Sequence, residues 1–219
     1  MATILCLETA TTNCSVAIAV DGKIIALREE NNQKFSHAEK LHVFIDEVLK
    51  KAKIDNKQLN AIAVSKGPGS YTGLRIGVSA AKGLCFALDI PLISTLTLEV
   101  IAQQVQQDTR YIIPMIDARR MEVYSAVFNS EKKQIRETKA EILNDNFFED
   151  YLNEGKVVFI GDGALKFEKI CKHKNAVFLS DACPSASDMA ILAEAKYKIS
   201  DTEDVAYFEP FYLKEFMMG

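Results

Sequence analysis

Eleven residues constrain this chain most: Gly67-Pro68-Gly69-Ser70-Tyr71-Thr72-Gly73-Leu74-Arg75-Ile76-Gly77. Ala61-Ile62-Ala63-Val64 precedes them, and a small, apolar run from Val78 to Leu88 follows. The segment therefore predicts a strand, a glycine-rich turn and a helix. Such a turn leaves backbone N–H groups at a helix N-terminus, where an anion binds or another backbone approaches closely. It is not a P-loop, because no Lys-Ser or Lys-Thr sits five residues after a glycine. Nor is it the dinucleotide fingerprint, because Thr72 stands in place of the third glycine. The competing reading is a tight strand-to-helix turn with no ligand. Gly69 is expected to hold a positive φ, which a β-branched residue tolerates badly.

Upstream, Thr3 to Leu7 and Ser15 to Val20 predict strands, and Asp21-Gly22 predicts a hairpin turn into Lys23 to Leu27. Ser36 and Glu39 have capping-box spacing. Leu41, Phe44, Ile45, Val48, Leu49 and Ala52 form one helical stripe. Pro91 to Ser94 predicts a short strand and Thr97 to Gln106 a helix. The second half repeats this grammar. Tyr111 to Ile116, Glu122 to Phe128 and Ile135 to Lys139 read as strands, with Asn129-Ser130 as a turn. Phe147 to Leu152 reads as helix, and Val157 to Ile160 as a strand running into Gly161-Asp162-Gly163. Ser185 or Ser187 would open a helix to Ile199. The fold class is α/β, with duplicated βββαβα units. A single doubly wound sheet fits the hairpins badly. The predicted division is a first lobe over 1–100 and a second over 101–219, whose last segment is free to pack back on the first.

The chain has 219 residues, 48% of them hydrophobic, enough for a substantial core. A net charge of -4 makes it a poor nucleic-acid binder by itself. Apolar runs are too short to cross a membrane, and the N-terminus lacks the pattern of a secretory signal. Five scattered cysteines without C-x-x-C spacing fit reduced thiols in the cytoplasm rather than a metal cluster. His37 and His42 fall roughly 140° apart on a helix and cannot converge on one ion. His173 lies in a lysine-rich stretch and reads as solvated.

Glu8 and Asp117 each end the first strand of their half. Ile4-Leu5-Cys6-Leu7-Glu8-Thr9-Ala10-Thr11, Ser36-His37-Ala38-Glu39 and the glycine run resemble the TsaB (YeaZ) family. So do Asp117-Ala118-Arg119-Arg120-Met121-Glu122-Val123-Tyr124, Gly161-Asp162-Gly163-Ala164 and Pro210-Phe211-Tyr212-Leu213. These segments span the chain in order. Two positions depart: Glu8 stands where the family usually has Asp, and Tyr71 where it usually has Phe. The resemblance implies an actin-like (ASKHA, ribonuclease H-like) fold of two lobes. It also implies a cytoplasmic role in making threonylcarbamoyladenosine beside the tRNA anticodon. The protein would be a non-catalytic partner of the related TsaD enzyme, together with the TsaE ATPase. It would meet tRNA only through that complex; alone, it is open to either a monomer or a homodimer.

The related catalytic family continues from the same glycine run into a His-x-x-x-His metal pair. Thr97 and Ile101 stand there in this chain, and neither can replace an imidazole at a metal. No cofactor or metal is therefore expected. Gly67, Pro68, Gly69, Ser70, Tyr71, Thr72 and Gly73 form the glycine-loop motif. Glu8, Thr9, Asp117, Gly161 and Gly163 would be the remnant of a nucleotide cleft. Gly73, Gly77 and Ala81 line one helix face, suited to close packing on the chain's own sheet or on a partner. Since the family pairs through helices of its first lobe, Leu41, Ile45, Val48, Leu74 and Val78 are the expected partner contact. Two rival readings are a glycoprotease-like peptidase or small kinase of the same fold, and a sensor that binds ATP or ADP weakly.

Overall fold

The computed structural model describes residues 1–31 and 37–214. The capping box expected at Ser36 lies outside them. The chain divides into two units, residues 1–100 with 184–219, and residues 101–183. The C-terminal segment thus counts with the first unit.

In the first unit, strands β1 (Thr3–Glu8), β2 (Asn13–Val20), β3 (Lys23–Asn31), β4 (Ala61–Gly67) and β5 (Leu92–Leu96) form a sheet in the order β3-β2-β1-β4-β5. β1, β2 and β3 pair antiparallel, whereas β1, β4 and β5 pair parallel. The β2–β3 turn places Asp21 at φ 50° and Gly22 at φ 74°, the two left-handed positions of a tight hairpin. Ile4 to Leu7 of β1 are all apolar because both faces of the strand are covered. Leu5 and Leu7 join the cluster beneath helices α1 (His37–Ala52) and α2 (Tyr71–Leu88). Ile4 and Cys6 join the opposite one, beneath α6 (Ala186–Lys198). Ala17, Ala19, Ala61 and Ala63 keep that second face low, and Ala186, Met189, Ala190 and Ala193 of α6 seat against it. Ser185 is the α6 cap; its hydroxyl accepts the Ser187 N–H at 3.2 Å.

In the second unit, β6 (Tyr111–Asp117), β7 (Glu122–Asn129), β8 (Gln134–Ile142), β9 (Val157–Ile160) and β10 (Ala176–Leu179) take the order β10-β9-β6-β7-β8. Read from the other edge, this is the order and sense of the first sheet, so the repeat is one of topology. Helices α4 (Glu149–Glu154) and α5 (Ala164–Ile170) complete it. Its core holds an aromatic cluster among aliphatic side chains. Phe159 lies 4.8 Å from Phe167, 5.2 Å from Phe178 and 5.6 Å from Phe148, centroid to centroid. Helix α3 (Thr97–Ala102) stops short of the expected Gln106. The glutamine-rich end that follows offers no apolar stripe to hold further turns against a sheet.

Phe159→Ala removes the ring at the centre of this cluster. Denaturant unfolding should show a loss of about 3–5 kcal/mol.

Candidate functional site

The glycine run is built into its own unit. Gly67 ends β4 at φ +119°, and a Cβ there would lie 2.7 Å from the Phe211 carbonyl oxygen. Ser70 caps α2: its hydroxyl accepts the Gly73 N–H at 3.2 Å, and its own N–H donates to the Ala10 carbonyl at 2.7 Å. The Leu74 N–H donates to the Ser70 carbonyl at 2.8 Å. Of the N–H groups that the turn would offer an anion, those of Ser70 and Gly73 are bonded within the chain.

Gly69, Gly73 and Gly77 serve close approach. A Cβ at Gly69 would fall within 3.0 Å of the Ala10 carbonyl, at Gly73 of the Thr9 carbonyl, and at Gly77 of Thr9 Oγ1. Thr9 Oγ1 donates to the Gly73 carbonyl at 2.8 Å. The expected positive φ at Gly69 is corrected, since positive φ occurs at Gly67 and not there. The small stripe of α2 thus receives the β1–β2 turn of the same chain.

Glu8 holds that turn from below. Its Oε1 accepts the Ala10 N–H at 2.7 Å, and its Oε2 accepts the Ser65 hydroxyl. The side chain is fully buried. Burial pushes its carboxyl up to about 7 from an ordinary 4.5. Hydrogen bonds from Ser65, Ala10 and Thr9 oppose the shift, and Asp188 adds a smaller push upward. Sequence reading missed Ser65, which faces Glu8 from β4. The neighbouring pair Leu7 and Val64 sits in direct register, a signal visible only once the strands are paired.

The second unit has a comparable turn. Gly161 sits at φ +110°, where a Cβ would lie 2.3 Å from the Met115 carbonyl oxygen, and a Cβ at Gly163 would lie 2.9 Å from the Ile116 carbonyl carbon. Asp117 accepts the Arg119 N–H at 2.6 Å and an ion pair from Lys166 at 2.8 Å. Asp162 accepts the Asp117 N–H at 2.9 Å, and burial raises its carboxyl. Glu8 and Thr9 thus serve the first unit, and Asp117, Gly161 and Gly163 the second. Each is engaged by its own neighbours.

The C-terminal motif closes over the glycine run. The Phe211 N–H donates to the Lys66 carbonyl at 2.7 Å. Tyr212 lies 4.9 Å from the Tyr71 ring, and its hydroxyl accepts from Arg75 Nε at 3.2 Å. Arg75 in turn lies over Tyr71 at 4.1 Å. Pro210 to Leu213 is visible as a motif in the sequence, but the element it binds is not.

The expected contact residues require correction. Leu41, Ile45, Val48, Leu74 and Val78 are all buried within their own unit. A side chain without exposed area has none to give a partner. The outward faces instead carry Val43, 52% exposed, and Phe86, 85% exposed. Gly83 also faces outward, and a Cβ there would meet nothing within 4 Å. His37 is buried and its Nε2 donates to the Thr11 carbonyl at 2.7 Å, while His42 is exposed. Thr97 and Ile101 are buried in α3.

A twice-used β-sheet order with a closed glycine turn defines an actin-like α/β protein. The fold is similar to (R)-2-hydroxyglutaryl-CoA dehydratase component A of Acidaminococcus fermentans, with TM-score 0.54 and 10% identity over 92% of this chain and all of that one. The family model described as TsaD: tRNA N6-adenosine threonylcarbamoyltransferase matches residues 30–215. Escherichia coli tRNA threonylcarbamoyladenosine biosynthesis protein TsaB is 30% identical, over 96% of this chain and 94% of its own. YeaZ from Pseudomonas aeruginosa is 26% identical with TM-score 0.84, over 97% of this chain and 100% of that one. The chain belongs to the TsaB (YeaZ) family, within the wider group that the TsaD model describes.

Two measurements follow from the site. In α2, Gly73→Ala should lower unfolding free energy by about 1–3 kcal/mol, as overpacking does. Gly83→Ala should raise it by up to about 1 kcal/mol, because helix propensity alone decides there. Glu8 binds its proton more tightly folded than unfolded. Its contribution is full below pH 4.5 and is lost as pH rises through about 7. Between pH 4.5 and 8, stability of the native chain should fall relative to Glu8→Gln by on the order of 3 kcal/mol. Parallel pH dependences in denaturant unfolding would contradict this assignment.

Proposed function

We propose that this chain acts in tRNA threonylcarbamoyladenosine biosynthesis as a non-catalytic partner that activates a TsaD-type transferase. The observation that carries this reading is the burial of Thr97 and Ile101 in α3, where the catalytic relatives would present a metal pair. A hydroxyl and an aliphatic chain in a packed core supply neither ligand nor nucleophile access. The closed glycine run supports the same reading, because its bonded N–H groups serve the fold. The chain would work in the cytoplasm alongside a TsaE-type ATPase and reach tRNA through the complex. Among the described residues, no helix is long and apolar enough to cross a membrane.

The outward faces of α1 and α2 supply the docking surface. Phe86 and Val43 hold apolar area in solvent. Gly83 costs its helix about 1 kcal/mol relative to alanine without any neighbour in the chain that requires it. A second helix approaching closely would use that gap. The same surface, turned on a copy of itself about a two-fold axis, would make a homodimer when the transferase is absent.

Val43→Glu and Phe86→Glu should fold normally by circular dichroism. In calorimetry each should weaken association with the TsaD-type subunit by about 2–4 kcal/mol, since each would bury an unpaired charge. If both fold and bind as tightly as the native chain, the docking surface lies elsewhere.

A further inference from the structure

Two rings of the first unit stand almost wholly in solvent: Phe86 of α2, 85% exposed, and Tyr207 of the C-terminal segment, 84% exposed. On the docking role given above to the outward face of α2, we propose that the turn carrying Tyr207 belongs to the same surface. The footprint of the TsaD-type subunit then runs off the helices and onto the C-terminal segment.

One lysine joins the turn to the helix. Lys82 Nζ donates to the Ala206 carbonyl at 3.1 Å and to the Phe208 carbonyl at 2.9 Å, on either side of Tyr207. Phe86 follows Lys82 by four residues, one turn along the same flank of α2. Gly83 opens the helix surface beside both, since a Cβ there would meet nothing within 4 Å. The opposite flank is closed, because Ile76, Ala80 and Leu84 pack against the core of the unit. The free surface of α2 therefore continues toward Tyr207. A partner helix laid over Phe86 and Gly83, its axis about 8–10 Å away, would reach the Lys82 flank as well.

The turn is ordered before any partner arrives. Val205 and Phe208 pack against the core of the unit, one on each side of the exposed ring. Asp204 Oδ1 accepts the Ala206 and Tyr207 N–H groups at 2.8 and 3.2 Å, and its carbonyl accepts the Phe208 N–H at 2.8 Å. The Asp204 carboxylate and the Lys82 ammonium are both engaged by the turn's own backbone, so they act as positioning groups. What the turn offers outward is the ring. A tyrosine held on a fixed backbone has two side-chain torsions to lose on binding, so the ordering cost is small. Its apolar body can be buried while the hydroxyl stays at the wet rim, which is why such rings dominate interface energies.

Calorimetric titration of the full chain with a TsaD-type subunit tests the assignment. Tyr207→Ala should keep the native melting temperature and bind more weakly by about ten-fold or more. Tyr207→Phe, which keeps the ring, should bind within about two-fold of the native chain. Amide hydrogen exchange at residues 204–208 should slow in the complex. Suppose Phe86→Glu still weakens binding, while Tyr207→Ala binds like the native chain or exchange at 204–208 is unchanged. Either result would overturn the proposal and leave the docking role of α2 standing. Failure of the native chain to bind the subunit at all would remove both. Weaker self-association of Tyr207→Ala in sedimentation, with subunit binding unchanged, would assign the ring to a second copy and likewise overturn the proposal.

Discussion

The fold of the first unit rests on one close approach. The β1–β2 turn at Thr9 and Ala10 lies so near α2 that no side chain fits between them at Gly69, Gly73 or Gly77. That approach needs the turn held down and the helix held in register. Glu8 does the first, through the Ala10 N–H and Ser65. Ser70 does the second, bonding both Ala10 and Gly73. A buried carboxyl is costly unless its oxygens are bonded, so Glu8 and the turn stabilise or fail together. The C-terminal motif then seals the far side through Phe211 and Tyr212.

The second unit uses the same device with different parts. Its glycine turn follows the corresponding strand, β9, and presses on the end of the corresponding first strand, β6, at Met115 and Ile116. There the acid Asp117 is partly exposed and paired with Lys166, whereas Glu8 is fully buried. The two units share the backbone geometry of a strand end meeting glycines, with different side chains around it. Each strand end meeting glycines is a structural joint within its own unit.

Strand and helix order was legible because periodicity is local. The hairpin at Asp21-Gly22, the Leu41 to Leu49 stripe and the strand before the glycine run all announce themselves within a few residues. β10 and α5 were not assigned, since four residues after a lysine-rich stretch and a seven-residue helix give too little pattern. The direction of the α1 and α2 stripes was the costlier gap. Leu41, Ile45, Val48, Leu74 and Val78 show that an apolar face exists, but not whether a sheet or a partner covers it. Only the fold decides that, and it assigns all five to the core. Phe86 and Gly83, which the periodicity of α2 treats as incidental, are the residues left outside. Likewise, glycine spacing marked a close approach, while the approaching turn lay some sixty residues upstream.

The most direct measurement is threonylcarbamoyladenosine formation on tRNA, reconstituted with this chain, a TsaD-type subunit and a TsaE-type ATPase, omitting each in turn. The account predicts no modified base from this chain alone with metal, ATP, threonylcarbamoyl-adenylate and tRNA. It also predicts loss of product when the chain is withheld from the full mixture. Turnover by the chain alone that survives repurification and scales with its concentration would contradict it, as would full activity in its absence.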